Sequence, residues 1–182
     1  MIDRCSFCTT MAAFKQTSQP LNIGASLDLV DGTPASNTIT LPLSSLDREI
    51  FVVTDIQMEY EPVANPSLPG NTVSLLGSVN KTGTGFQKIN NPDTVGSIQV
   101  QVQSNAADAL SVQTSRSPDE SSTGTVRDYI GVIATPDFVL AGSYASTAGG
   151  KPNREISVRL TGYRAVASAD VYAALVTEEL NA

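Results

Sequence analysis

Histidine is absent from all 182 residues. It is the usual side chain for proton transfer at neutral pH and the commonest metal ligand. Its absence argues against most hydrolases, zinc enzymes and proton shuttles. Tryptophan is missing too, and five Phe and five Tyr are the whole aromatic complement, which weakens the case for a porin girdle or a sugar-stacking platform. Charge is scarce, at 16% of residues, and basic charge is scarcer. Eleven Lys and Arg against eighteen Asp and Glu leave a net charge of −7 and a pI near 4.4, a field that repels a phosphate polymer. No run approaches the roughly 18–20 apolar residues that span a bilayer. The stretch from Met1 to Cys8 lacks the apolar core of a secretory signal. If Met1 is the true start, the chain is made in a cytoplasm and leaves by lysis or assembly.

Cysteine is limited to Cys5 and Cys8, a single C-x-x-C. One such pair supplies half of a zinc ribbon and lies far from any βαβ pattern of a thioredoxin-type site. Cys5 and Cys8 are the sole metal or disulfide suspects, and a symmetric oligomer is the route by which they become a site.

What is present is β-patterned. The 41% hydrophobic content and mean hydropathy of −0.01 are those of a globular chain with one substantial core. Residues 1–20 read as an arm. From there a period of two recurs. Ile23, Ala25, Leu27 and Leu29 alternate with polar residues until Asp31-Gly32 turns the chain. Ile39, Leu41 and Leu43 form a second set, with Pro42 at an edge or outward position. The strongest strand is Glu49 to Tyr60. Ile50, Val52, Thr54, Ile56, Met58 and Tyr60 are expected on one face, while Phe51 and Val53 make the first half apolar on the other as well.

Further strands are expected over 73–79, 98–103, 110–114, 126–135, 137–144 and 155–160, separated by Gly-, Pro- and Asn-rich loops. Phe51, Val53, Ile56, Met58, Val100, Val102, Val158 and Leu160 are expected in the core. The tail from 168 to 182 differs. Val171 with Leu175 and Val176 with Leu180 have helical spacing, and Ser168 suits an N-cap, so a short helix is expected, with a last strand over 171–176 as the alternative. The organisation is an arm over 1–20, a single all-β antiparallel sandwich over 21–167 and a helical tail over 168–182.

Chemistry is harder to place. The carboxylates are scattered through turns and loops, and no G-x-S-x-G, P-loop or G-x-G-x-x-G occurs. No enzyme and no cofactor are expected, with calcium or zinc as the open exception. Calcium has oxygen-rich candidates at Asp31-Gly-Thr, Asn90-Asn-Pro-Asp93 and Asp119-Glu120-Ser, none with EF-hand spacing; Asp and Asn are also good turn formers. Asn80-Lys-Thr82 matches a glycosylation sequon. Arg154, Arg159 and Arg164 are candidates for contacts between subunits or with a polyanion if they share a face. Alternation puts Arg159 opposite Ile156 and Val158, hence outward.

The strand rhythm from Leu21 to Leu160 includes Arg48-Glu-Ile-Phe-Val-Val-Thr-Asp55 as a long central strand. Asn153-Arg-Glu-Ile-Ser-Val-Arg-Leu-Thr-Gly-Tyr-Arg164 is a late one. In this the chain resembles the jelly-roll capsid proteins of small icosahedral viruses. The resemblance implies a virion protein that self-assembles into a shell through its sandwich, loops and terminal arms. Its partners would be copies of itself and other virion proteins. The chain departs from many such proteins in one respect: residues 1–20 hold only Arg4 and Lys15 as basic residues, so genome packing would fall to another component. The alternatives are a non-catalytic binding module of adhesin or carbohydrate-binding type, and another phage head or tail component.

Overall fold

The period-two segments become strands, and their pairing decides the architecture. The computed structural model describes residues 14–61, 71–104, 110–117, 129–147 and 153–181. Its elements are β1 (Phe14–Gln16), β2 (Leu21–Leu29), β3 (Ala35–Thr40), β4 (Glu49–Tyr60), β5 (Thr72–Asn80), β6 (Thr94–Ser104), β7 (Leu110–Ser117), β8 (Gly131–Ile133), β9 (Asp137–Ser146), β10 (Arg154–Ala167) and α1 (Ala169–Asn181).

The pairing is nested. β2 lies antiparallel to β10, β3 to β9, β4 to β8 and β5 to β6. Nested pairs of this kind are one long antiparallel hairpin folded over on itself. Its strands fall into a first sheet, β2-β10-β4-β8, and a second, β3-β9-β5-β6-β7. That order is a jelly roll, and the expected all-β sandwich is the fold. β1 continues the edge begun by β2, pairing Phe14 with Ala167 of β10. Thus part of the expected arm is a strand. β7 is an extra strand on the outer edge of the second sheet.

The core fills the space between the sheets. All eight expected core residues are in it, together with Leu29, Leu75, Ile98, Phe138, Leu140 and Tyr144. Each fully buried side chain of this size contributes roughly 1.5–3 kcal/mol.

Two expected strand ranges are corrected. The second set of alternating residues begins earlier than Ile39 and stops at Thr40. Leu41 is buried just past the strand end, its N–H donating to the carbonyl of Pro136 at 2.8 Å, and Pro42 cannot continue the ladder. The strand expected over 126–135 is, in its described part, only Gly131–Ile133.

The single face expected for Ile50 through Tyr60 is broken at Thr54. Val53 pairs with Gly162 and Asp55 with Thr161, so Thr54 is an extra residue. Its hydroxyl donates to the Thr161 carbonyl at 3.1 Å. One inserted residue reverses a period of two. Phe51, Val53, Ile56 and Met58 therefore all point inward, while Ile50 and Val52 point outward.

The outward-facing apolar residues are covered by the tail, which is a helix. The Ser168 hydroxyl accepts from the Val171 N–H at 3.4 Å, Asp170 sits in the first turn where it suits the helix dipole, and Ala173-Ala174-Leu175 favours helix. Val171, Tyr172, Leu175 and Val176 pack on Ile50, Val52, Val132, Ala134, Ala165 and Ala167. That packing explains why the first half of β4 is buried on both faces.

Candidate functional site

The two outer faces of the sandwich differ in charge. On the first sheet, α1 covers one half and the other half carries Asp28, Asp55, Glu59, Glu155 and Arg159 at outward positions. On the second sheet the outward positions are filled by residues such as Thr38, Ser74, Leu76, Gln99, Gln101 and Ser143. Asp137, the first residue of β9, is the only charged residue among its described outward positions. A groove of about 520 Å³ runs along β5, β6 and β7 of this face.

A loop closes one end of the same face. The Gln87 N–H donates to the Ser78 hydroxyl at 3.0 Å. Asp93 holds the start of that loop. Buried, it accepts from the Thr82 N–H at 2.9 Å, the Thr82 hydroxyl at 3.1 Å and the Gly83 N–H at 2.9 Å. Asn80 donates to the carbonyls of Gly83 and Gly85, both at 2.7 Å. Its side chain is buried, so the sequon at Asn80 is not presented to a transferase. Asp93→Ala is expected to cost about 2 kcal/mol by leaving the part-buried Thr82 and Gly83 N–H groups without their acceptor. Hydrogen exchange at Thr82 and Gly83 should quicken; unchanged exchange there would contradict the role.

The tail is fastened close by. Glu179 is 1% exposed. Its carboxylate accepts from the Ala134 N–H at 2.9 and 3.1 Å and from the Thr135 N–H at 2.9 Å. Burial pushes its pKa up, and the bonds from Ala134 and Thr135 and the charge of Lys81 oppose that rise. The Thr82 hydroxyl also lies 3.2 Å from the Glu179 carbonyl, so its one proton is shared between that oxygen and Asp93, joining tail and loop. Glu179 was not among the candidate residues of the sequence. A signal existed: it lies four residues after Leu175 and three after Val176, on the apolar stripe of the helix.

The three arginines do not share one environment. Arg154 and Arg164 have the phase of Ile156, Val158 and Leu160, and Arg159 has the opposite phase. Arg154 is buried. Arg159 is exposed and donates to the Gln57 side-chain oxygen. Arg164 lies 3.6 Å from Glu49 and donates to the Pro42 carbonyl at 3.3 Å. Cys5, Cys8, Asp119 and Glu120 lie outside the described residues.

Among the described residues no three of His, Cys, Asp or Glu converge as a metal-ligand set. Two carboxylates considered for calcium hold backbone. Asp93 orders its loop, and Asp31 accepts from the Ser146 N–H at 2.6 Å. The adjoining Gly32 has a φ of 74°, a conformation that glycine adopts without penalty, and Thr33 N–H to Val30 carbonyl at 3.1 Å closes the turn.

One turn presents an uncovered apolar side chain. Leu46 is 95% exposed at the tip of a well-bonded loop. The Ser44 hydroxyl donates to Asp47 at 2.7 Å, the Ser44 N–H donates to Glu49 at 2.9 Å, and the Glu49 N–H donates to the Ser44 carbonyl at 3.0 Å. Arg48 closes this turn with a φ of 57°, which is unfavourable for a residue with a long side chain.

No family model and no curated protein sequence matches this chain. Among solved structures, a chain of Desmodium yellow mottle tymovirus is similar over 92% of this chain and 93% of its own. It has 13% identity and a TM-score of 0.30. No helix among the described residues is long and apolar enough to cross a membrane.

Proposed function

We propose that this chain is a structural subunit of a virion, self-associating into a shell through its sandwich, with no catalytic step and no cofactor. The carrying observation is the outer face of the second sheet, broad and almost free of charge on a chain of net charge −7. Like-charged copies repel one another, and this face is where they can approach at least cost. Leu46 adds an apolar knob held out from the surface. Jelly rolls serve viral shells, lectins and cupins alike, and fold alone does not choose among them.

The features of this chain favour the shell. A glycan-binding module would use an aromatic platform, and no aromatic residue occupies an outward position on the strands of the second sheet. Arg159, exposed on the first sheet, is the arginine proposed to meet a neighbouring subunit; Arg154 and Arg164 are engaged within their own chain.

The test is the native mass by light scattering after size exclusion, followed by negative-stain imaging of the same peak. Closed particles, or stable multiples of the 19.1 kDa chain, are expected. A monomer that persists at high concentration would refute the reading and direct the search to glycan or protein ligands.

A further inference from the structure

Among the described residues, β7 is the outermost strand of the second sheet. It pairs with β6 on one side, and among the described residues no strand lies on the other. Val112, Gln113, Thr114 and Ser115 are all exposed, so this stretch is covered on neither face. Val112 is 58% exposed although it pairs with the core residue Val102. The opposing sheet ends in the three-residue β8 and leaves β7 overhanging.

A stretch as exposed as Val112–Ser115 gains little to offset its ordering. A row of free N–H and C=O groups is also a template for another strand. Natural edges are blunted by shortness, proline, lysine or bulges. Among the other described edges, β8 is short and β3 is flanked by Pro34 and Pro42, while on the nine-residue β2 the Ser26 carbonyl accepts from the Asn37 side chain at 3.2 Å. β7 has eight residues, no proline, no lysine and a regular register with β6.

We infer that β7 pairs antiparallel with β7 of a second copy about a two-fold axis, joining two second sheets into one continuous sheet. The inference rests on the self-association proposed above and adds an edge contact to the face named there. Three features of the chain favour a second copy as the partner. Pairing needs a partner with a long open edge, and every copy of this chain carries one. A two-fold contact needs only one patch to be self-complementary. The strand is also uncharged from Leu110 to Ser115, so copies of charge −7 meet where repulsion is least. In the register centred on Val112, each exposed valine faces its counterpart, a favourable cross-strand pair.

The test uses Val112→Lys and Val112→Glu in the full chain, with sedimentation velocity over a concentration series. Because Val112 is exposed, both variants should melt as the wild type does. Each alone sets like charges opposite one another and is expected to weaken association about tenfold or more. An equimolar mixture, which sets Lys against Glu, should recover the wild-type association. If Val112→Lys associates as tightly as the wild type, or the mixture fails to recover, the β7 contact is wrong while self-association stands. A monomeric wild type would overturn both.

Discussion

Replacing Glu179 with alanine is expected to lower stability by about 3 kcal/mol, from the desolvation cost of buried N–H groups left without an acceptor. The Ala134 and Thr135 N–H groups lie just beyond β8, where the chain has left the ladder, and the Glu179 carboxylate is their partner. The same loss should loosen the C-terminal end of α1, so protection from hydrogen exchange should fall at Ala134 and Thr135 before it falls in the core. Glu179→Gln keeps one acceptor oxygen and should cost clearly less. Equal melting temperatures for wild type and Glu179→Ala would refute the assigned role.

The pH dependence has a definite sign. Burial raises the pKa of Glu179 above the ordinary 4.5, so the folded chain still binds a proton where the unfolded chain has released it. Stability from this group is complete below about pH 4.5 and is lost as pH rises through the higher folded value. Glutamine does not titrate. The melting-temperature difference, wild type minus Glu179→Gln, should therefore shrink from pH 4.5 upward. A difference that grows with pH would mean that the N–H bonds from Ala134 and Thr135 outweigh burial, contrary to the raised pKa.

Gly162→Ala is the second large effect, again about 3 kcal/mol. A methyl group there would press into the Val52 carbonyl oxygen and come within 2.8 and 2.9 Å of the Phe51 ring. The carbonyl belongs to the strand paired with β10, next to the bulge at Thr54, and cannot yield without moving the ladder. Phe51 is fully buried at the centre of the sandwich. Urea unfolding at an unchanged m-value measures the loss. A cost under about 1 kcal/mol would mean that β4 and β10 shift apart easily, contrary to close core packing.

The limits of the sequence appear at the same places. Alternation reveals strands because it is local, and the inward set Val100, Val102, Val158 and Leu160 could be read from it directly. β4 could not be phased that way throughout. Its apolar run Ile50-Phe51-Val52-Val53 fits either face, and only pairing with β10 singles out Thr54 as the extra residue. Val112 misleads in the opposite sense, for it has the phase of a core residue yet lies on a fifth strand and is 58% exposed. The arginines share β10 but not an environment, since odd and even spacings along one strand send them to opposite sides.

By itself the sequence determined the all-β class, the strand rhythm, the core residues between the sheets and the helical tail. It also determined the lack of histidine chemistry. These follow from composition and from periods of two and 3.6, which need no knowledge of distant partners. Only the tertiary structure decided the nested pairing, the bulge at Thr54, the burial of Glu179 and the place of β7 at the end of the second sheet. Each depends on which distant segment lies alongside, and that is set by the packing of the whole chain.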